Sequence, residues 1–135
     1  PLPTLLLLNA QGLARRGQFK EAVIDMNCAL DAIVARKAAE LLVAHGRARN
    51  ARHAETNLRG TTEEIANRTL ALLGQPDIRD TPAWASWHGE GRKVRKQVVH
   101  FGYLPSEDEA LRCFEAIREL CAVVGALAPR ELNLD

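Results

Sequence analysis

The chain has 135 residues, of which 47% are hydrophobic and 26% charged, and its net charge is +1. That length allows one compact domain over residues 1–135, and that balance belongs to a soluble globular chain, not to a disordered one. Aromatic residues are only 4%, so the core must come from Leu, Ala, Val and Ile, which favours packed helices over a β-sandwich.

Thr4 to Arg16 predicts a first helix, with Leu5, Leu8 and Leu13 among its apolar positions and Gly17 as its stop. The run Leu5 to Leu8 is far too short to span a membrane. It also lacks the basic flank and small-residue cleavage site of a signal peptide. A start at Pro1 without Met reads as a trimmed chain or a piece of something longer. Phe19, Ala22, Val23, Met26, Leu30 and Ile33 then recur at helical spacing, and Ala38, Leu41 and Leu42 continue the pattern. This second helix either ends near Gly46 or runs on as a polar helix toward Leu58.

Gly60 and Thr61 open a third helix. Thr61 and Glu64 have the spacing of a capping box, in which each side chain satisfies a free backbone donor. Ile65, Thr69, Leu72 and Leu73 give it an inner face, and Gly74 and Pro76 stop it. Gly74 to Gly91, with three glycines, two prolines, Trp84 and Trp87, predicts a long loop holding one short turn. The two Trp side chains are expected to cap the core. A fourth helix runs from about Gly91 to Phe101 and ends at Gly102. Pro105 and Ser106 start a fifth, with Ser106 and Glu109 as a second capping box and three acids at the positive end of the helix dipole. Leu111, Phe114, Ile117, Cys121 and Val124 form its buried stripe, and Pro129 ends it. No segment reads as a strand. The expected fold is all-α, a five-helix, mostly antiparallel bundle.

Cys28, Cys113 and Cys121 are an odd number at wide spacing, which argues against a disulfide framework and for a reducing, cytoplasmic setting. All three are expected in the core. His45, His53, His88 and His100 show neither paired spacing nor a nearby Cys pair, so no metal site is expected. A Gly-rich phosphate loop and a Ser-centred nucleophile motif are both absent from the sequence. No cofactor is implied.

Charge is distributed unevenly. Arg47, Arg49 and Arg52 form one basic cluster without acids, and Arg92, Lys93, Arg95 and Lys96 form another. Two such clusters in a nearly neutral chain point toward an anionic ligand. The segment Val94 to Gly102 (VRKQVVHFG) holds the candidate catalytic pair, Arg95 and His100. Arg supplies a permanent charge and planar donors for phosphate, and His shuttles protons near neutral pH. Together they suffice to cleave RNA without a metal. Five steps along an ideal helix rotate by about 140°, so the two side chains do not start side by side. Either Arg95 curls round, or the helix distorts near His100, or a second subunit completes the site.

In this context the motif resembles the HEPN family, small helical domains of prokaryotic toxins, RNA-targeting defence proteins and some eukaryotic RNases. Their signature is Arg, four to six residues and His, late in the chain, followed by a loop and a final amphipathic helix. Arg95 to Gly102, Pro105 and the segment Ser106 to Leu127 have that layout. Ala22 to Asp31 is similar to the family's long second helix, which often carries an acidic residue about there. The chain has Lys96 where the family usually has a small polar residue. It has Gly102 where some toxins carry a Tyr that an antitoxin modifies, and Tyr103 lies one position further on.

The resemblance implies a metal-independent endoribonuclease in a toxin or defence context, with Arg95 and His100 catalytic. Arg92, Lys93, Lys96, Arg47, Arg49 and Arg52 are the candidate RNA contacts. It also implies a homodimer, RNA and not DNA as partner, no membrane, and an antitoxin protein as a further partner. The alternative is a non-catalytic helical module binding RNA or protein, either a toxin–antitoxin partner or a regulatory domain. A competing resemblance lies in Leu13, Gly17, Phe19, Ala22, Met26 and Ala29, whose spacing is similar to one tetratricopeptide repeat. No second copy follows at a period of about 34 residues, so the pattern reads as a helical hairpin.

Overall fold

The first two predicted helices pack along each other. α1 (Leu2–Arg15) and α2 (Phe19–Ala44) are joined by three residues, with Gly17 at φ 76. The structure is a computed structural model that describes residues 2–131. The side chains of residues 2–6, Leu5 among them, lie outside what is described, as do residues 1 and 132–135.

α2 is the axis of the molecule and packs against every other helix. It buries Ala22, Val23, Met26, Ala29, Leu30, Val34, Ala38 and Leu41. The alternation of small Ala with larger side chains lets neighbours approach closely on several sides. The helix ends at Ala44, with Gly46 taking the left-handed conformation at φ 69. The chain does not run on as one helix to Leu58. Asn50 accepts the His53 N–H at 2.8 Å and caps a separate short helix, α3 (Ala51–Asn57).

α4 covers residues 62–73: an α-turn at Thr62–Ile65, a π-turn at Ala66–Leu70 and a closing turn at Ala71–Leu73. Thr61 caps it as expected, accepting the Glu64 N–H at 3.3 Å, but the box is only half formed. The Glu64 carboxylate meets the Thr61 hydroxyl at 3.4 Å instead of its backbone N–H.

The predicted long loop from Gly74 to Gly91 is largely helix. Only residues 74–81 are irregular, and they contain a short 3-10 turn at Ile78–Asp80. α5 then covers residues 82–101 without a break: Pro82–Ser86, a π-turn at Trp87–Gly91, and Arg92–Phe101. Thr81 caps it and Pro82 occupies its first turn, where a missing N–H is harmless. Trp84 and Trp87 bury themselves in the core as expected, with ring centroids 5.2 Å apart. Their burial outweighs the low helix propensity of Gly89 and Gly91. α5 stops at Gly102, whose φ of 65 lets its N–H and that of Tyr103 return to Val98 and Gln97.

α6 (Glu107–Ala126) carries the complete Ser106–Glu109 capping box. It buries Ala110, Cys113, Ala116, Ile117, Leu120 and Val124. The Tyr103 hydroxyl donates to Glu109 at 2.6 Å, and this bond, with the Ser106 N–H, holds the Glu109 carboxyl below the usual carboxylate range. Beyond α6, β2 (Ala128–Pro129) pairs antiparallel with β1 (Gly74–Gln75). The Arg130 guanidinium donates to the Gly74 carbonyl at 3.1 and 3.2 Å.

The chain is therefore all-α, a helical bundle with six helices among the described residues instead of five, plus a two-residue strand pair. The sixth helix is α3, which the Asn50 cap sets apart. None of the described helices is long and apolar enough to cross a membrane. Only Cys113 of the three cysteines is fully buried. Cys121 is half-buried, and Cys28 is exposed on the outer side of α2, contrary to expectation. Burial pushes the Cys113 thiol up to about 12 and the Cys121 thiol to about 11.

One buried polar side chain joins three helices. Asn27 on α2 donates to the Val23 carbonyl at 2.9 Å and to the Cys113 sulfur at 3.7 Å. Its carbonyl oxygen accepts the Trp87 indole N–H at 3.3 Å. The buried indole is thereby satisfied, and α5 is fixed in rotation against α2.

Candidate active site

α5 meets the first turn of α4 across a cleft of about 290 Å³. Arg92, Arg95, Lys96, Val99 and His100 line it from the last three turns of α5, with Trp87 one turn earlier. Thr61, Thr62 and Glu63 line it from α4. Arg95 and His100 thus open on one cavity although helical phase separates them. The helix stays regular through Phe101, so no distortion near His100 brings this about. The long Arg95 side chain reaches inward while His100 stands exposed at the rim.

Arg95 is held. Its guanidinium pairs with Asp31 of α2 at 2.9 Å, each side chain 30% exposed. Asp31 also accepts the hydroxyl hydrogen bond of Thr62, a side chain buried in the first turn of α4. One carboxylate therefore joins α2, α4 and α5 behind two cleft-lining residues, Thr62 and Arg95. This bond engages one nitrogen of Arg95, and a guanidinium has five N–H donors in a fixed plane. The remaining donors are available to an anion entering the cleft.

Arg92 is held in parallel. Glu63 accepts from the Arg92 guanidinium at 3.2 Å on one oxygen and meets the His88 ring at 3.2 Å on the other. The Arg92 Nε is buried and has no hydrogen-bond partner. Lys96 is exposed on the cleft rim, and its ammonium forms no ion pair among the described residues.

The other candidate RNA contacts lie elsewhere. Lys93 lines a different, polar depression with Gln97, Tyr103, Glu109 and Arg112. Arg47, Arg49 and Arg52 are exposed on the α2–α3 connection and the start of α3, and none of them lines the cleft. His45 meets the Leu73 carbonyl at 3.0 Å and ties the end of α2 to the end of α4. His53 meets Asn57 within α3.

Thr62 and Glu63 are site residues that the sequence does not mark. They sit inside the Thr61–Glu64 capping pattern, which singles out Glu64 instead. Beside the cleft, Val99, Phe101 and Leu104 are exposed at 60%, 80% and 75%. They flank His100 on the chain, Val99 lining the cleft and Phe101 turned about 200° away on the same helix. No family model, no curated protein and no solved structure matches the chain.

Proposed function

We propose that the protein is a metal-independent endoribonuclease of the HEPN type, a cytoplasmic enzyme acting on RNA in a toxin or defence setting. The observation that carries this is the opening of Arg95 and His100 on one cleft, with Arg95 fixed by Asp31. In the reaction the ribose 2′-oxygen bonds to phosphorus and the bond to the 5′-oxygen breaks. The proton of the 2′-hydroxyl is passed on, and the leaving oxygen departs as a hydroxyl. His100 moves that proton, and Arg95 neutralises charge on the phosphoryl oxygens. Lys96 seats the backbone beside Arg95, and Arg92 is engaged by Glu63. Lys93, Arg47, Arg49 and Arg52 extend the cationic surface outside the cleft. A homodimer covering exposed Val99 would bring two copies of the adjacent His100 near each other, so that one imidazole accepts a proton while the other donates one.

The exposed apolar side chains Phe101 and Leu104 favour a second reading, a non-catalytic module whose partner is another protein such as an antitoxin. One assay separates the two. Purified protein is incubated with RNA and excess chelator. The expected result is cleavage to 2′,3′-cyclic phosphate ends, with DNA resistant because it has no 2′-hydroxyl. His100→Ala is expected to lower the rate by roughly 10²–10⁴-fold in a folded protein. Undiminished cleavage by folded His100→Ala overturns the assignment. Absence of cleavage by the parent chain favours the partner-binding module.

A further inference from the structure

Glu63 is out of place in a cleft built for phosphate. Its side chain is 35% exposed and lines the same cavity as Arg92, Arg95, Lys96 and His100. A phosphate beside it would meet a like charge at close range. The phosphate is therefore confined to the end of the cleft formed by Arg95, Lys96 and His100, and the Glu63 end is left for the part of a nucleotide that carries no charge.

The carboxylate there is oriented and unsaturated. One oxygen meets His88 at 3.2 Å and the other accepts from Arg92 at 3.2 Å. These two bonds set the plane of the carboxylate. An ionised carboxylate has about four acceptor sites, so each oxygen keeps one for a ligand. Such a group accepts and never donates. Among the RNA bases, guanine alone presents two adjacent N–H donors on one edge, at N1 and N2. Adenine and cytosine each place an acceptor beside their amino group, and the single N–H of uracil lies between two carbonyls. Val99 and Trp87 are the apolar residues lining the same cavity.

We infer that Glu63 is a specificity-determining residue that reads the N1–N2 edge of a guanine, placing it on the 5′ side of the phosphate held by Arg95. His88 and Arg92 position the carboxylate. The inference rests on the endoribonuclease reading for its choice of RNA as ligand, and its test does not require cleavage. Binding of guanosine 3′-monophosphate to the wild-type protein is measured by calorimetry or NMR titration. Inosine, N1-methylguanosine, adenosine, cytidine and uridine 3′-monophosphates are the comparisons.

A hydrogen bond to a charged group corresponds to roughly tenfold or more in affinity. Guanosine 3′-monophosphate should bind at least about tenfold tighter than the inosine and N1-methyl compounds, and tighter than the other three. Glu63→Gln should erase that preference, bringing the guanosine and adenosine compounds within about twofold of each other. Equal affinity for all six nucleotides, or a guanine preference that survives in Glu63→Gln, overturns the inference. If no nucleotide binds, the inference also fails, and the cleavage assay above still decides the endoribonuclease reading independently. The wild-type nucleotide series stands even if Glu63→Gln disturbs Arg92.

Discussion

Two glycines in the π-turn of α5 should respond to the same substitution in opposite directions. A Cβ added at Gly91 would lie 2.7 Å from Cδ1 of Trp87, 3.2 Å from its Nε1 and 3.6 Å from the Cys113 sulfur. Carbon atoms prefer about 3.5–4.0 Å, so the indole must retreat by roughly 1 Å. It has little room, because Trp87 is 2% exposed, stacks near Trp84 and is already bonded to Asn27 at 3.3 Å. Overpacking of this kind typically costs about 1–3 kcal/mol. Gly91 has an ordinary helical φ of −63, so Ala relieves no strain and gains only about 1 kcal/mol of helix propensity. The net loss is up to about 2 kcal/mol, a fall of as much as roughly 8 °C in Tm for a domain of this size. At Gly89, two residues earlier, an added Cβ would meet nothing within 4 Å, so Gly89→Ala should gain about 0.5–1 kcal/mol. Thermal melts followed by circular dichroism, with tryptophan fluorescence as a second probe, measure both. If Gly91→Ala raises Tm as Gly89→Ala does, Trp87 is not packed where the structure has it.

Four further outcomes are expected. Asn27→Ala leaves the Trp87 indole N–H buried without its acceptor, which should cost about 1–3 kcal/mol in a urea titration; a change below about 0.5 kcal/mol would deny Asn27 its linking role. Asp31→Asn keeps the shape but removes the charge that orients Arg95, so under the proposed endoribonuclease reading RNA cleavage should fall at least about tenfold while Tm moves by only a few degrees; unchanged cleavage would show that Arg95 needs no fixing. A thiol reagent at pH 8 should label exposed Cys28 first, half-buried Cys121 more slowly, and Cys113 only on unfolding. The Cys113 and Cys121 thiols ionise at about 12 and about 11 in the folded chain but near 9 when unfolded. The unfolded state therefore sheds protons first, and their contribution to stability, full below pH 9, is lost as pH rises through that window. Melts at pH 8 and pH 10.5 should show the decline, and Cys113→Ala should flatten it.

Local signals are legible where the chain satisfies its own backbone. Ser106 and Glu109 start α6 as their spacing requires, because a capping box involves only residues three apart. The Arg95–His100 pair is legible as chemistry, and Asp31 as an acid on α2. What the sequence does not convey is tertiary. The helical path from Pro82 to Gly91 depends on Trp84 and Trp87 finding the core, and propensity alone assigns two glycines to a loop. Glu63 enters the cleft from a helix about thirty residues away from Arg92 in sequence, so no local spacing reveals it. Cys28 misleads for a related reason. Its neighbours Asn27 and Ala29 are buried, but one step along a helix turns a side chain by about 100°, enough to face solvent.

The π-turn at Trp87–Gly91 bears on which changes of chain length the protein can absorb. A π-turn is a place where a helix holds one residue more than its regular hydrogen bonding needs. Deleting exposed Gly89 lets that turn revert to ordinary helix, while Trp84 before it and Arg92 and Arg95 after it keep facing the same neighbours. Deleting a residue from the regular stretch, such as Lys93, has no such slack to use. It swings everything downstream by about 100° relative to Arg92, carrying Arg95 from Asp31 and His100 from the cleft. The spacing between the tryptophans and the cationic turn is thus free to vary by one residue, whereas the spacing from Arg92 to His100 is not.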